Sequence, residues 1–166
     1  MSRTLIVFRH AKSDWSADYE GADIDRPLAK RGRKAARRAG RFLSDIAAVP
    51  DAVICSPALR TRATLEIACE AREWESSVRY SHPLYDGGVQ GLMAEVKQEP
   101  HSTRLLMVVG HEPTCSETVA QLIGGGRVRM PTCALARVEL LVDRWEEVGP
   151  GTGVLSWLVV SRLIEP

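Results

Sequence analysis

The sequence lacks an excess of charge of either sign, a cysteine motif and a long apolar run. Its 166 residues include 22 Lys and Arg and 21 Asp and Glu, so the net charge of +1 gives no overall attraction to nucleic acid or membranes. The 4 cysteines form no CxxC pair and have no histidine at zinc-finger spacing, which predicts reduced thiols and no metal site. No run approaches the roughly 20 apolar residues that span a bilayer, and the apolar part of MSRTLIVFRH is too short for a signal peptide. These absences predict a cytoplasmic protein that recognises its partners through a local site.

Apolar runs rich in β-branched residues predict the strands of the fold. Three of these runs, TLIVF, AVIC and LLMVV, are continuous rather than alternating, which is typical of strands covered on both faces of a mainly parallel sheet. The predicted strands are Thr4 to Phe8, Ala52 to Cys55, Leu105 to Val109, Ala134 to Val142 and Val154 to Leu163.

Helical patterns fill the gaps between these strands. The alternation of strands and helices, ending in two adjacent strands, predicts one α/β domain over residues 1–166, built as a three-layer α/β/α sandwich with a mainly parallel central sheet. The predicted helices are Leu28 to Ile46, Pro57 to Arg72, Val89 to Lys97 and Pro113 to Ile123.

The first predicted helix has an apolar face and a strongly basic face. The apolar face recurs at three- and four-residue spacing and consists of Leu28, Gly32, Ala35, Ala39, Phe42, Leu43 and Ile46. The basic face, within residues 30–41, is expected to be a solvated surface, with an acidic partner as the alternative. It consists of Lys30, Arg31, Arg33, Lys34, Arg37, Arg38 and Arg41.

Charged residues and histidines follow three of the predicted strands. Arg9 and His10 follow the first, Arg60 lies in the first turn of the helix after AVIC, and His111 follows LLMVV. Because the ends of parallel strands meet at one edge of a sheet, these four side chains are expected to lie together. Arginine cannot ligate a metal, but its guanidinium suits phosphate oxygens, so the group predicts a phosphoryl ligand.

Three motifs carry a family resemblance. FRHAKSDWS resembles the RHG signature of the histidine phosphatase, or phosphoglycerate mutase-like, superfamily, with Ala11 in place of the usual glycine, and SPALR and VVGHE resemble its other phosphate-site motifs. RHAKSDW, LYDGG and RMPTCALARVEL most resemble the small SixA-type phosphohistidine phosphatases. The resemblance implies a phosphoglycerate mutase-like fold, with His10 as nucleophile. It also implies that Arg9 and Arg60 bind the phosphoryl oxygens and that His111 stabilises the transition state.

The resemblance also implies an activity. The expected protein is a metal-independent phosphatase without a cofactor, which forms a covalent phosphohistidine intermediate and releases inorganic phosphate. Phosphohistidine in proteins is the first expected substrate, and small phosphomonoesters are the alternative. A catalytically silent phosphate-binding module is the competing function, because a fold does not guarantee an activity.

The general acid is the role that the sequence leaves open. Asp86 in LYDGG is the first candidate, with a helix cap as its alternative role, and Asp14 and Glu112 are further candidates. If the substrate is phosphohistidine, its imidazole leaves readily and no dedicated acid is needed. Ser16 is expected at the phosphoryl group because it occupies a position where many relatives have asparagine, and Trp15 is a candidate wall of the pocket.

Overall fold

A six-stranded mixed sheet forms the centre of the structure. The structure is a computed structural model that describes residues 2–16 and 18–165. The strands are β1 (Arg3–Arg9), β2 (Ala52–Cys55), β3 (Ser77–Tyr80), β4 (Leu105–Gly110), β5 (Leu135–Leu140) and β6 (Gly153–Val159). Their order is β3-β2-β4-β1-β5-β6. The first four in this order run parallel, β5 pairs antiparallel with β1, and β6 pairs antiparallel with β5.

Helices cover both faces of this sheet. They are α1 (Lys30–Asp45), α2 (Leu59–Glu70), α3 (Pro83–Asp86), α4 (Gly88–Val96) and α5 (Thr114–Leu122). Helices α1 and α2 pack on one face, while α3, α4 and α5 pack on the other. Short 3-10 helices lie at Asp23–Asp25, Trp145–Glu147 and Ser161–Leu163. The predicted three-layer sandwich with a mainly parallel sheet is confirmed.

The core consists of two apolar clusters separated by the sheet, and β1 contributes to both. Leu5 and Val7 pack toward α4 and α5, while Ile6 and Phe8 pack toward α1 and α2. All four side chains are fully buried. A strand covered on both faces has no polar side, which explains why its sequence is a continuous apolar run.

Two expectations about individual elements are corrected by the structure. The strand predicted to reach Leu163 ends at Val159, because the chain turns into a 3-10 helix from Ser161. Ile46, placed on the apolar face of the first helix, is 41% exposed, whereas Gly40 of the same helix is buried. The packing of α1 therefore depends on small residues that the apolar pattern does not include.

Gly40 lies at the close crossing of α1 and α2. A Cβ atom added to Gly40 would come within 2.2 Å of the backbone oxygen of Ala68, so the helices could not keep their separation. An alanine inside a helix is normally better than glycine by roughly 1 kcal/mol, but overpacking costs about 1–3 kcal/mol. We expect Gly40→Ala to lower the free energy of unfolding by about 1–3 kcal/mol, measured by urea denaturation. Gly149→Ala is the control because nothing lies within 4 Å of its added Cβ. A stabilised Gly40→Ala protein would contradict this packing.

Candidate active site

The candidate site lies where β1, β2 and β4 end. Arg9 is the last residue of β1 and His10 follows it, while Ser56 and His111 directly follow β2 and β4. The backbone N–H of His10 donates to Gly110 O (3.0 Å) and that of Ser56 to Val109 O (3.0 Å), which fixes the loops to the strand ends. The rings of His10 and His111 lie with their centroids 5.3 Å apart.

The imidazole of His10 is held in one tautomer. Its Nδ1 lies 2.7 Å from the backbone oxygen of Ala11, and because a carbonyl only accepts hydrogen bonds, Nδ1 carries the proton. The other ring nitrogen, Nε2, therefore has its lone pair available. The backbone of this residue is fixed as well, since Cys133 N–H donates to His10 O at 2.9 Å. A neutral imidazole with a free Nε2 lone pair is the form needed for nucleophilic attack.

Burial keeps both histidines neutral. The pKa of His10 is lowered to about 4, with desolvation as the largest cause. The hydrogen bond to Ala11 opposes this shift, and the charges of Arg60, Arg9 and Arg26 contribute to it. Desolvation likewise lowers the pKa of His111 to about 3, with Arg60 as the next cause. Two neutral imidazoles therefore lie next to each other at neutral pH.

This environment predicts the titration of His10. The ring should stay neutral as the pH falls from 8 and should protonate with a midpoint near 4 rather than at its usual 6.5. Between pH 4 and 6.5, His10 is protonated in the unfolded chain but still neutral in the folded protein. The free energy of unfolding should therefore decrease as the pH falls from 6.5 toward 4. NMR titration of the ring protons measures the midpoint. A midpoint at or above 6.5 would show that burial does not control this group.

Arg60 is oriented by Asp23, which lies in the first 3-10 helix. Its Nη1 donates to the backbone oxygen of Asp23 (2.7 Å) and its Nη2 to Asp23 Oδ2 (3.1 Å). The same carboxylate accepts hydrogen bonds from Arg26 and from the hydroxyl of Tyr85, the latter at 2.9 Å. The ring of Tyr85 also contacts that of His111, with centroids 5.6 Å apart. Asp23 thus connects two arginines and a tyrosine at the edge of the site.

Sequence reasoning missed Asp23, Arg26 and Tyr85 as members of this group. Arg26 is buried, and its guanidinium lies 3.5 Å from the centroid of the Trp15 ring. It is also one of the charges that depress the pKa of His10. Asp23 and Arg26 belong to the charged stretch DIDRP before α1, which is evident in the sequence. The stretch alone does not indicate which elements of the fold it contacts.

Several buried nitrogens at this edge have no hydrogen-bond partner among the described residues. They are Arg9 Nε, Arg26 Nε and His111 Nδ1. Arg9 is otherwise anchored through Nη1, which donates to Met130 O at 2.9 Å, and His111 Nε2 lies 2.8 Å from Ser56 Oγ. Buried N–H groups that lack a partner are costly, so these nitrogens leave hydrogen-bonding capacity unused at this edge of the sheet.

The loop that carries His10 is connected directly to the helix that carries Arg60. The backbone N–H of Ala11 donates to Thr64 Oγ1 (3.0 Å), and the Thr64 hydroxyl donates to Arg60 O (2.7 Å). Ala11, which stands where the resemblance expects glycine, is fully buried. The position of the nucleophile candidate relative to Arg60 is therefore set by packing and by two hydrogen bonds.

The three candidate general acids, Asp86, Glu112 and Asp14, each pair with a residue that is close to them in sequence. The side chain of Asp86 is 62% exposed and pairs with His82 Nε2 at 3.2 Å. Helix α4 begins after Gly87 without a side-chain cap, so the alternative role of Asp86 as its cap is not observed. Glu112 accepts hydrogen bonds from the backbone and hydroxyl of Ser116, and Asp14 accepts one from the backbone N–H of Ser16.

Ser16 and Trp15 line a cavity next to the site. The cavity has a volume of about 270 Å³ and is also lined by Asp23 and Arg26. Trp15 itself is 68% exposed. The predicted role of Ser16 in binding phosphate stays a prediction, and so do the roles of the four residues at the strand ends.

Comparison with known proteins identifies the family. The model of the histidine phosphatase superfamily (branch 1) matches residues 5–122. The chain belongs to the histidine phosphatase superfamily. An uncharacterised chloroplastic protein of Arabidopsis thaliana is 32% identical and is matched over 96% of this chain and 78% of its own length.

Solved structures of similar proteins confirm the phosphoglycerate mutase-like fold of this chain. A protein of Nakamurella multipartitia assigned as a phosphohistidine phosphatase SixA is 29% identical, with a TM-score of 0.83 over 96% of each chain. The protein histidine phosphatase SixA, solved with tungstate, is 25% identical, with a TM-score of 0.82 over 98% of this chain and 99% of that one. The resemblance to SixA proteins that the motifs predicted is confirmed, and the activity is that of a phosphatase or mutase of this superfamily.

The described residues contain neither a cluster of possible metal ligands nor a membrane-spanning helix. Over residues 2–16 and 18–165, no three His, Cys, Asp or Glu side chains are grouped so that they could hold a metal ion. In the same residues, no helix combines the length and apolar character needed to cross a bilayer.

Proposed function

We propose that this protein is a metal-independent phosphatase that removes the phosphoryl group from phosphohistidine side chains of proteins through a phosphorylated His10. The observation that supports it most directly is the hydrogen bond from His10 Nδ1 to Ala11 O, which leaves the Nε2 lone pair free among arginines. The SixA proteins that share the fold are described as phosphohistidine phosphatases, which favours the same substrate class here.

The first step is an in-line displacement at phosphorus. His10 Nε2 forms a bond to phosphorus while the bond from phosphorus to the substrate nitrogen breaks, and the departing imidazole keeps the electron pair and takes up a proton. Arg9 and Arg60 bind the equatorial oxygens, where charge develops during transfer. His111 donates to the same group when its Nδ1 carries the proton, and Arg26 adds a further positive charge.

The second step regenerates the enzyme. Water attacks phosphorus and loses a proton to solvent, while the bond to His10 Nε2 breaks and its electron pair returns to the imidazole. Orthophosphate leaves and His10 is neutral again. Each step exchanges one ligand of phosphorus for another, and neither requires an oxidant or a metal. We place the protein in the cytoplasm. Free thiols are typical of that reducing compartment, and Cys55, Cys69, Cys115 and Cys133 are all free.

A direct test compares two substrates. We expect the protein to release phosphate from a phosphohistidine peptide with a kcat/KM at least about 10-fold above that for an aryl phosphate, and EDTA should not change either rate. Faster hydrolysis of the aryl phosphate would favour a phosphatase of small phosphomonoesters. Hydrolysis of neither substrate would favour the silent phosphate-binding module.

Asp86 separates the two substrate classes further. An alkoxide leaving group needs a proton, and a general acid typically contributes 10²–10⁴-fold, whereas a departing imidazole needs little help. If Asp86 supplies that proton, we expect Asp86→Asn to slow hydrolysis of an alkyl phosphate by about 100-fold or more but that of the phosphohistidine peptide by less than about 3-fold. Equal effects on both substrates in steady-state assays would remove Asp86 from the acid role.

A further inference from the structure

A groove with five basic side chains lies beside the loop that carries His10. It is bounded by α1, by residues 129–132 and by residues 160–162, and its volume is about 800 Å³. No carboxylate of the described residues lines it. The basic side chains are Lys12, Arg31, Arg38, Arg129 and Arg162.

No carboxylate of residues 2–16 and 18–165 neutralises these five side chains. None of them forms an ion pair with a carboxylate in the described part of the chain, although ion pairs occur at many other arginines. Arg31 and Arg38 are seven residues apart, which places them two turns apart on one side of α1. Like charges that share a groove repel one another, and an anion bound between them removes that cost.

We propose that this groove binds a compact polyanion with two or more phosphate groups, at a site separate from the one that contains His10. Four of the five cations are arginines, whose forked N–H groups match phosphate oxygens. The volume falls within the range of small-molecule sites, which is about 300–1,000 Å³.

The groove also has an apolar part. Ala35, Pro131 and Val160 line it together with the hydroxyl-bearing Thr132 and Ser161. An organic polyanion could place its phosphates against the arginines and its remaining atoms against this apolar patch. Nucleoside polyphosphates and inorganic oligophosphates share the required charge, and they differ in whether they use the patch.

The groove adjoins the candidate active site through the backbone. Met130, whose oxygen accepts the hydrogen bond from Arg9, lies between two residues of its wall, and Cys133 N–H donates to His10 O. Lys12 belongs to the loop after His10. The two sites are nevertheless lined by different side chains, so occupancy of the groove does not depend on the proposed catalysis.

The test is a calorimetric titration of the full chain at low ionic strength with inorganic tripolyphosphate and, separately, with adenosine triphosphate. We expect the double variant Arg31→Gln/Arg162→Gln to weaken tripolyphosphate binding at least about 10-fold. The matched double variant Arg33→Gln/Arg104→Gln removes two exposed charges outside the groove and should change the affinity less than about 2-fold. Tighter binding of adenosine triphosphate would show that the apolar patch contributes, and equal binding would assign the site to phosphate groups alone.

Arg60→Gln distinguishes the groove from the candidate active site. It should leave tripolyphosphate affinity within about 2-fold, because Arg60 does not line the groove. Loss of binding in Arg60→Gln would place the probe at His10 and overturn the proposal. Equal losses in the two double variants would mean diffuse charge attraction, which also overturns it. An oligoglutamate peptide that binds through Arg31 and Arg162 while tripolyphosphate does not would assign the groove to an acidic protein segment. Thermal unfolding of every variant checks that it is folded, so the outcome stands whether or not phosphatase activity is found.

Discussion

His10→Ala is expected to lower kcat/KM for both the phosphohistidine peptide and the aryl phosphate by at least about 10⁴-fold, because removal of a nucleophile eliminates the covalent route. His10 is the histidine of the described site whose Nδ1 donates to a backbone carbonyl, that of Ala11, which leaves its Nε2 lone pair free. His111 instead hydrogen-bonds to the Ser56 hydroxyl through Nε2. The variant should also lose the phosphorylated intermediate. Phosphate release measured over several hours gives the residual rate.

The nature of the intermediate provides a second readout. In wild-type protein mixed with labelled substrate, the protein-bound label should persist in alkali and be lost in acid, as expected for phosphohistidine. His101→Ala is the matched control, since His101 is an exposed histidine that accepts a hydrogen bond from Arg3, at the opposite end of β1 from His10. It should retain activity within about 2-fold. Alkali-labile label, or full activity in His10→Ala, would assign the reaction to another nucleophile.

Arg60→Ala is expected to have the second largest effect, a loss of about 10²–10³-fold in kcat, because a preorganised donor to the transferring group disappears. The effect should fall mainly on kcat, since charge on the equatorial oxygens develops in the transition state. Arg60→Lys should recover only part of the rate, because an ammonium group lacks the planar fork of N–H groups.

The control for this prediction lies one half-turn away on the same helix. Arg62 is exposed and its guanidinium lies 5.6 Å from the Tyr80 ring centroid. Arg62→Ala removes the same charge from α2 and should change kcat less than about 3-fold. Steady-state kinetics with saturating substrate measure both variants. A larger loss in Arg62→Ala than in Arg60→Ala would show that general positive potential, rather than a directed guanidinium, assists the reaction.

Strands buried on both faces could be predicted from the sequence almost to the residue. The runs TLIVF, AVIC and LLMVV correspond to β1, β2 and β4, because short continuous apolar runs rich in β-branched residues are typical of strands covered on both faces. β3 was missed for the opposite reason. All four of its residues are exposed, and among the described strands it pairs with β2 alone. Its sequence SVRY is short and has no continuous apolar run. The single domain over residues 1–166 stays a prediction.

Some residues of the candidate site could likewise be predicted from the sequence, while others could not. The ends of parallel strands meet at one edge of the sheet, which is why Arg9, His10 and His111 could be predicted from the sequence to lie together. The contacts of Asp23 could not be foreseen. Its partners Arg60 and Tyr85 are 37 and 62 residues away in sequence, and they meet only because the first 3-10 helix packs beside α2 and α3. Such contacts depend on packing details that neither periodicity nor motif spacing records.

The bonds from Asp23 to Arg60 also affect the entropy of substrate binding. An arginine side chain carries roughly 2 kcal/mol of rotamer entropy, which a ligand must otherwise overcome when it immobilises the side chain. In this protein the guanidinium is already fixed by Asp23 through one N–H group on each Nη nitrogen, and each of these nitrogens has a second N–H group. Much of the ordering cost is therefore met when the chain folds, and a phosphoryl group encounters a donor that is already aligned.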